Sequence, residues 1–180
     1  MAEPQHDAPQ GGQDATMVRI GQAIMLHRGG DREEARNRFA ALWTETDVDA
    51  DLFHRCTIAH YMADTQDDPA DELAWDLRAL AAADALDQDR VSWGEHQLAV
   101  RSLYPSLYLN LAADHVKLGD EEAARQELER ARAKLDALPA DAYGEGIRAA
   151  IERLEKRIAD GAASPGGAVD GSSGGTDQLP

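Results

Sequence analysis

What this chain has least of is cysteine: Cys56 stands alone among 180 residues. An intramolecular disulfide cannot form, and a cysteine-rich zinc site is excluded by count. Basic residues are scarce too, with 18 Lys and Arg against 34 Asp and Glu and a formal net charge of −16. Glu3, Asp7, Asp14, Asp170 and Asp177 lie near the ends, which leaves −11 on the stretch between them. Nucleic-acid affinity comes largely from Lys and Arg neutralising phosphates, so neither DNA nor RNA is an expected partner, nor is an anionic membrane surface. No apolar run is long enough for a membrane span, and no basic segment followed by an apolar core stands near Met1. Neither anchoring nor export is expected, and a reducing, cytoplasmic setting fits best. Alternation with period two is missing as well, so no strand is expected.

What is present is an apolar fraction of 43 %, enough for one domain with a real core. Within it lies an internal repeat. Gly30-Asp31-Arg32-Glu33-Glu34-Ala35 is echoed by Gly119-Asp120-Glu121-Glu122-Ala123-Ala124. Each follows an apolar helical run carrying a small residue, Ala23 or Ala112, and each opens an amphipathic stretch. The unit is helix, Gly-Asp turn, helix, which sets the architecture.

The apolar periodicity predicts helices over about 16–28, 32–46 and 49–65, with a fourth from Pro69 to about 86. The first should bury Val18, Ile20, Ile24, Met25 and Leu26; the second, Ala35, Phe39, Leu42 and Trp43. The fourth has Leu73, Trp75, Leu77, Leu80 and Ala81 to bury. Residues 87–103 read as irregular, and Pro105 reads either as a break or as the first turn of a fifth helix running to 118. A sixth covers about 121–138. The last, to about 159, carries Ile147, Ile151, Leu154 and Ile158 as a single stripe suited to a cap. The tails, 1–15 and the Gly/Ser-rich 161–180, are expected to be disordered, leaving one helical domain over 16–160.

Tyr108, Leu111, Ala112, His115, Gly119, Ala124, Leu128 and Ala131 fall at the offsets of the tetratricopeptide-repeat consensus, which places small residues where paired helices cross. Ala23, Leu26, Gly30, Ala35, Phe39 and Leu42 fit it as well, except that Gln22 stands where Leu is expected. The middle pair aligns only through Ala59 and Met62. The chain thus resembles the tetratricopeptide-repeat proteins over residues 17–158. Through His60-Tyr61-Met62-Ala63-Asp64, Glu72-Leu73-Ala74-Trp75-Asp76 and Tyr104-Pro105-Ser106-Leu107-Tyr108 it also resembles an actinobacterial group of them. The resemblance implies an all-α fold of about three helix pairs plus a C-terminal capping helix, and no particular activity.

In that register the middle of the concave face would present Phe53, Cys56, His60, Ala63 and Asp64. Cys56, His60 and Asp64 share one helical face at i, i+4, i+8. A Cys-His nucleophile pair oriented by Asp needs that order of groups; a half-buried cysteine, a hydrogen-bonded histidine and a solvated aspartate need nothing more. No other cluster has metal-ligand spacing, and neither a metal nor a cofactor is expected. The acids Asp64, Asp67, Asp68, Asp71 and Glu72 lack the EF-hand order and suit a solvated turn and helix start, although their charge could attract a basic peptide. Gly11-Gly12 and Gly29-Gly30 lack the strand before and the Lys-Ser/Thr after that a phosphate loop requires. Asn110 occupies a slot where some tetratricopeptide domains grip a peptide carboxylate, but Ile20, Ile24 and Ser106 in the companion slots supply no cation.

The expectation is therefore a non-enzymatic module that binds a protein or peptide, a basic one by charge, in the concave groove. Its polar contacts would be His60, Asp64 and Asn110, its apolar contacts Ile24, Phe53 and Leu109. Trp93, in the irregular segment, is either packed or presented to a partner. The alternative is a self-associating scaffold, a homodimer formed through that segment or an uncovered first pair.

Overall fold

The computed structural model describes residues 10–88 and 96–163, with side chains over 15–88 and 101–161. Trp93 and most of both tails lie outside the described residues. Among those described, the fold is all-α: α1 (Gln10–Arg28), α2 (Arg32–Glu45), α3 (Leu52–Ala63), α4 (Pro69–Gln88), α5 (His96–Lys117), α6 (Glu121–Arg132) and α7 (Ala142–Ala163), with a 3-10 turn at Leu135–Ala137 before the last.

The two Gly-Asp turns are built alike. Gly30 and Gly119 adopt φ of 91° and 80°, a left-handed conformation that side chains with a Cβ resist. Asp31 N–H then donates to Leu26 O at 3.0 Å and Asp120 N–H to His115 O at 2.8 Å, closing the end of the preceding helix. Each aspartate also caps the next helix, accepting at Oδ1 from Glu34 N at 3.3 Å and from Ala123 N at 3.0 Å. One short sequence ends one helix and starts another, twice.

Three buried clusters follow one another along the chain. The first joins Ile20, Ala23, Ala35, Phe39, Leu42, Ile58 and Met62 from α1 to α3. The second joins Cys56, Ala59, Ala79, Ala82, Ala83, Leu86, Tyr104 and Leu107 from α3 to α5. The third joins Ala112, Ala124, Leu128, Ala131, Ile151, Leu154 and Ile158 from α5 to α7. Thus α3 and α5 each serve two clusters, and no residue of α3 is fully exposed. The alanines bring helix axes close, as expected where paired helices cross.

Several sequence expectations need correction. α5 is continuous through Pro105, which is buried within it, and it begins at His96 rather than near Tyr104. Packing of Tyr104 and Leu107 against α3 and α4 holds the helix despite the hydrogen bond that proline cannot donate. α1 starts earlier than Thr16, and α6 stops at Arg132. On α1, Val18 and Met25 are exposed, and burial falls on Ile20 and Ala23. On α4, Leu77 is half-exposed and Ala81 lies on the surface, while Asp76, Ala79, Ala82, Ala83 and Leu86 are buried. This helix packs between α3 and α5 and so buries two flanks rather than one stripe. Trp43 and Trp75 are half-buried, edge to face at 5.1 Å, and Arg55 lies 3.6 Å from the Trp43 ring while donating to Thr46 O.

Candidate functional site

Where α3, α4 and α5 meet, the alanine and leucine packing gives way to a polar row. His60 lies one turn beyond Cys56 on α3. Glu72 and Asp76 stand one turn apart on α4, in line with the buried Ala79 and Ala83. Asn110, Asp114 and Lys117 follow at i, i+4, i+7 on α5, in line with the buried Leu107 and Leu111. Helical periodicity alone therefore points these groups toward one seam.

The geometry is close. Asn110 Nδ2 lies 3.3 Å from His60 Nδ1 and 3.5 Å from Asp76 Oδ1, and His60 Nδ1 is 3.8 Å from the same carboxylate oxygen. Asp76 and Asp114 are each only 1 % exposed, the strongest burial of any charged side chains here. Lys117 Nζ donates to Glu72 Oε1 at 2.5 Å and stands 3.5 Å from Asp114 Oδ1. Asp114 Oδ2 accepts from no N–H donor, and the Asp114 carboxyl hydrogen-bonds the neighbouring carboxyl of Asp76.

Charge follows from this placement. The Asp114 carboxyl is pushed up to about 8, first by burial and then by the like charges of Asp76 and Glu72, with Lys117 pulling the other way. For His60, burial favours the neutral ring, but the hydrogen bond and charge of Asp76, helped by Asp64, outweigh it and raise the pKa. Lys117 is raised likewise: partial burial opposes, and Glu72 and Asp114 prevail. The Cys56 thiol is pushed up to about 12, by burial and then by the charges of Asp76 and Asp84. With 2 % exposure it is not half-buried as the helical face implied, and it lacks the ionisation a nucleophile needs.

The residues expected in a groove are thus sorted. His60 and Asn110 come together. Asp64 caps α3 at the exposed edge of the row. Phe53 is half-buried against the second cluster, Ile24 against the first and Leu109 against the third, so each is partly committed to packing. Ala63 is fully buried and presents nothing. The acidic turn divides: Asp67 pairs with Arg32 at 2.9 Å and Arg36 at 2.8 Å, Asp68 Oδ1 accepts from Ala70 N at 2.7 Å, and Glu72 joins the row through Lys117. Of the carboxylate-grip slots, Ile20 is fully buried and Ser106 Oγ donates to Leu103 O.

Asp76 and Asp114 were missed as site residues. Their signal was an aspartate at a position where the buried stripe of its helix should continue, three residues before Ala79 and three after Leu111.

A concavity of about 580 Å³ lies elsewhere, between the end of α4, α5 and the turn after α6. Tyr104 Oη donates there to Asp84 Oδ1 at 2.9 Å, and burial with the Asp84 charge raises the phenol above its usual range. Lys134 Nζ lies 5.8 Å from the Tyr104 ring. Among the described residues no group of three His, Cys, Asp or Glu side chains is placed to hold a metal ion, and no helix is long and apolar enough to cross a membrane.

With this geometry in view, the chain was compared with family models, curated proteins and solved structures. None matches.

Proposed function

We propose that this chain is a non-enzymatic, cytoplasmic interaction module of tetratricopeptide-like arrangement that holds a segment of another protein over the seam of α3, α4 and α5. The carrying observation is the polar row itself. Four side chains from three helices, His60, Asp76, Asn110 and Asp114, converge inside packing that is otherwise alanine and leucine. Buried charge is a poor source of stability, because desolvation offsets attraction, and apolar side chains of similar size commonly serve a core better. Such a row is retained for what it contacts. The successive clusters that share α3 and α5, and the duplicated turns, support a quasi-one-dimensional stack of helix pairs with α7 as its cap.

Selection of peptides from a random display library on the wild type, followed by rebinding to the His60→Ala/Asn110→Asp variant, tests the placement. Loss of most selected peptides is expected. Full retention on a folded variant would sink it.

A second reading has its own observation. Met17, Val18 and Met25 are 38 %, 61 % and 74 % exposed on α1, an apolar edge of the first pair that suits self-association into a homodimer. Light scattering decides this, a mass near 19.5 kDa at micromolar concentration speaking against it.

A further inference from the structure

We infer that the outer face of α1 is the contact for a second copy of this chain, the two α1 helices crossing antiparallel about a twofold axis between Gly21 and Gln22. This rests on the homodimer reading above and adds its surface and register; it is independent of the seam of α3, α4 and α5.

The internal repeat shows what this face lacks. Counted back from the turn glycines Gly30 and Gly119, Val18, Gln22 and Met25 of α1 correspond to Leu107, Leu111 and Asp114 of α5. Those three are 2 %, 1 % and 1 % exposed, on the helix that packs against the preceding α4. Among the described residues no helix precedes α1, and Val18 and Met25 are 61 % and 74 % exposed. A stripe that elsewhere in this fold carries the contact between successive pairs stands open.

Gly21 lies between Val18 and Met25 on the same stripe. A Cβ there would meet nothing within 4 Å, so the packing of a single chain does not call for glycine in mid-helix, where it weakens the helix. A small residue in the middle of an exposed ridge lets a second helix axis come close. Crossing antiparallel at that point sets Val18 of each copy against Met25 of the other. Beside Met25 a hollow of about 440 Å³ opens between α1 and α2, lined by Gln22, Leu26, Gly29 and Arg38, and a smaller one of about 220 Å³ continues it past Ala41. A ridge at Val18 and a hollow beside Met25 exchange places under a twofold rotation. The patch is therefore complementary to itself, as an isologous contact requires.

Charge selects the occupant. Residues 15–46 hold five arginines and four acids, a net +1, whereas residues 47–88 hold two arginines and eleven acids, a net −9. Two chains of net charge −16 repel each other least when they meet on their first pairs. At the rim, Arg19 and Glu45 are paired with side chains about half exposed, so each copy offers the other a charge of either sign. Residues 164–180 bring only Val169 and Leu179 as large apolar side chains, too few to cover the stripe.

Sedimentation velocity of the full chain at tens of micromolar provides the test. The wild type is expected at twice 19.5 kDa. Val18→Glu and Met25→Glu, each placing a carboxylate in both halves of the contact, are expected to weaken the dimer at least about tenfold. Leu77→Glu, at a position of α4 that is 50 % exposed, should leave it unchanged. All three positions are exposed, and circular dichroism confirms folding. Register is read by mild oxidation: Gln22→Cys should crosslink to itself, and Val18→Cys only when mixed with Met25→Cys, while the buried Cys56 takes no part. A wild-type monomer overturns this inference and leaves the seam, tested by His60→Ala/Asn110→Asp, standing. A dimer indifferent to Met25→Glu also overturns it and leaves self-association to another surface.

Discussion

Asn110 on α5 reaches His60 on α3 across 3.3 Å, although fifty residues separate them in the chain and α4 packs between their helices. The contact bridges the middle and third helix pairs at two of the positions that the repeat pattern put in the groove. Its energetic weight is measurable as a coupling.

The single variants His60→Ala and Asn110→Ala should each lower stability by about 1 kcal/mol, and the double variant by about 0.5–1 kcal/mol less than their sum, since both remove the same contact. Urea denaturation of the four proteins measures this. Strict additivity would mean that each ring or amide is held by Asp76 separately rather than by its neighbour.

Asp114 gives a dependence on pH whose sign is fixed by its raised pKa. A carboxyl near 3.8 in the unfolded chain and near 8 in the folded one binds its proton more tightly when folded. Its contribution to stability is complete below about pH 4 and is lost as the pH rises toward and through 8. His60, also raised, acts in the same direction above its ordinary range. Asp114→Asn removes the larger slope, so the variant should exceed wild type by about 1–2 kcal/mol at pH 8 and converge with it near pH 4. Urea midpoints across that interval provide the comparison, and a variant that is less stable at pH 8 would contradict the assignment.

Gly30 and Gly119 predict a matched pair of effects. A Cβ at either position meets nothing within 4 Å, so the whole penalty of Gly→Ala is the left-handed backbone. Each substitution should cost about 1 kcal/mol, and the two should add because the turns are far apart in the chain. Thermal melts of the single and double variants would reveal any inequality between the turns.

Cys56 should resist thiol reagents in the native protein. With the thiol pushed up to about 12 and 2 % exposed, labelling at pH 8 requires opening of the second cluster. Its rate should therefore rise with added urea in step with unfolding. Fast labelling without denaturant would restore the nucleophile reading of Cys56 and His60.

The turns, the stripe of Ile151, Leu154 and Ile158, and the pairing of small residues at Ala112 and Ala124 were legible in the sequence because each is local or strictly periodic. Pro105 was not, since a rule about lost hydrogen bonds cannot weigh the packing that Tyr104 and Leu107 contribute. The α4 face was read one flank too far round: counting apolar residues favoured Leu77 and Ala81, whereas a helix flanked on both sides buries its alanines and Asp76. His60 and Asn110 were found from the repeat register. Asp76 and Asp114 escaped, because a search for buried positions passes over aspartate unless an interrupted stripe is itself taken as the signal.

The sharing of α3 between two clusters bears on how this protein can change over generations. A helix with no fully exposed position has almost no neutral sites: Ile58 and Met62 answer to one side, Cys56 and Ala59 to the other. The least constrained positions are the half-buried polar ones, Arg55, Thr57 and His60, and Asp64 at its end. New specificity in a descendant would be written there and on the facing turn of α5, with the rest of the middle helix held still.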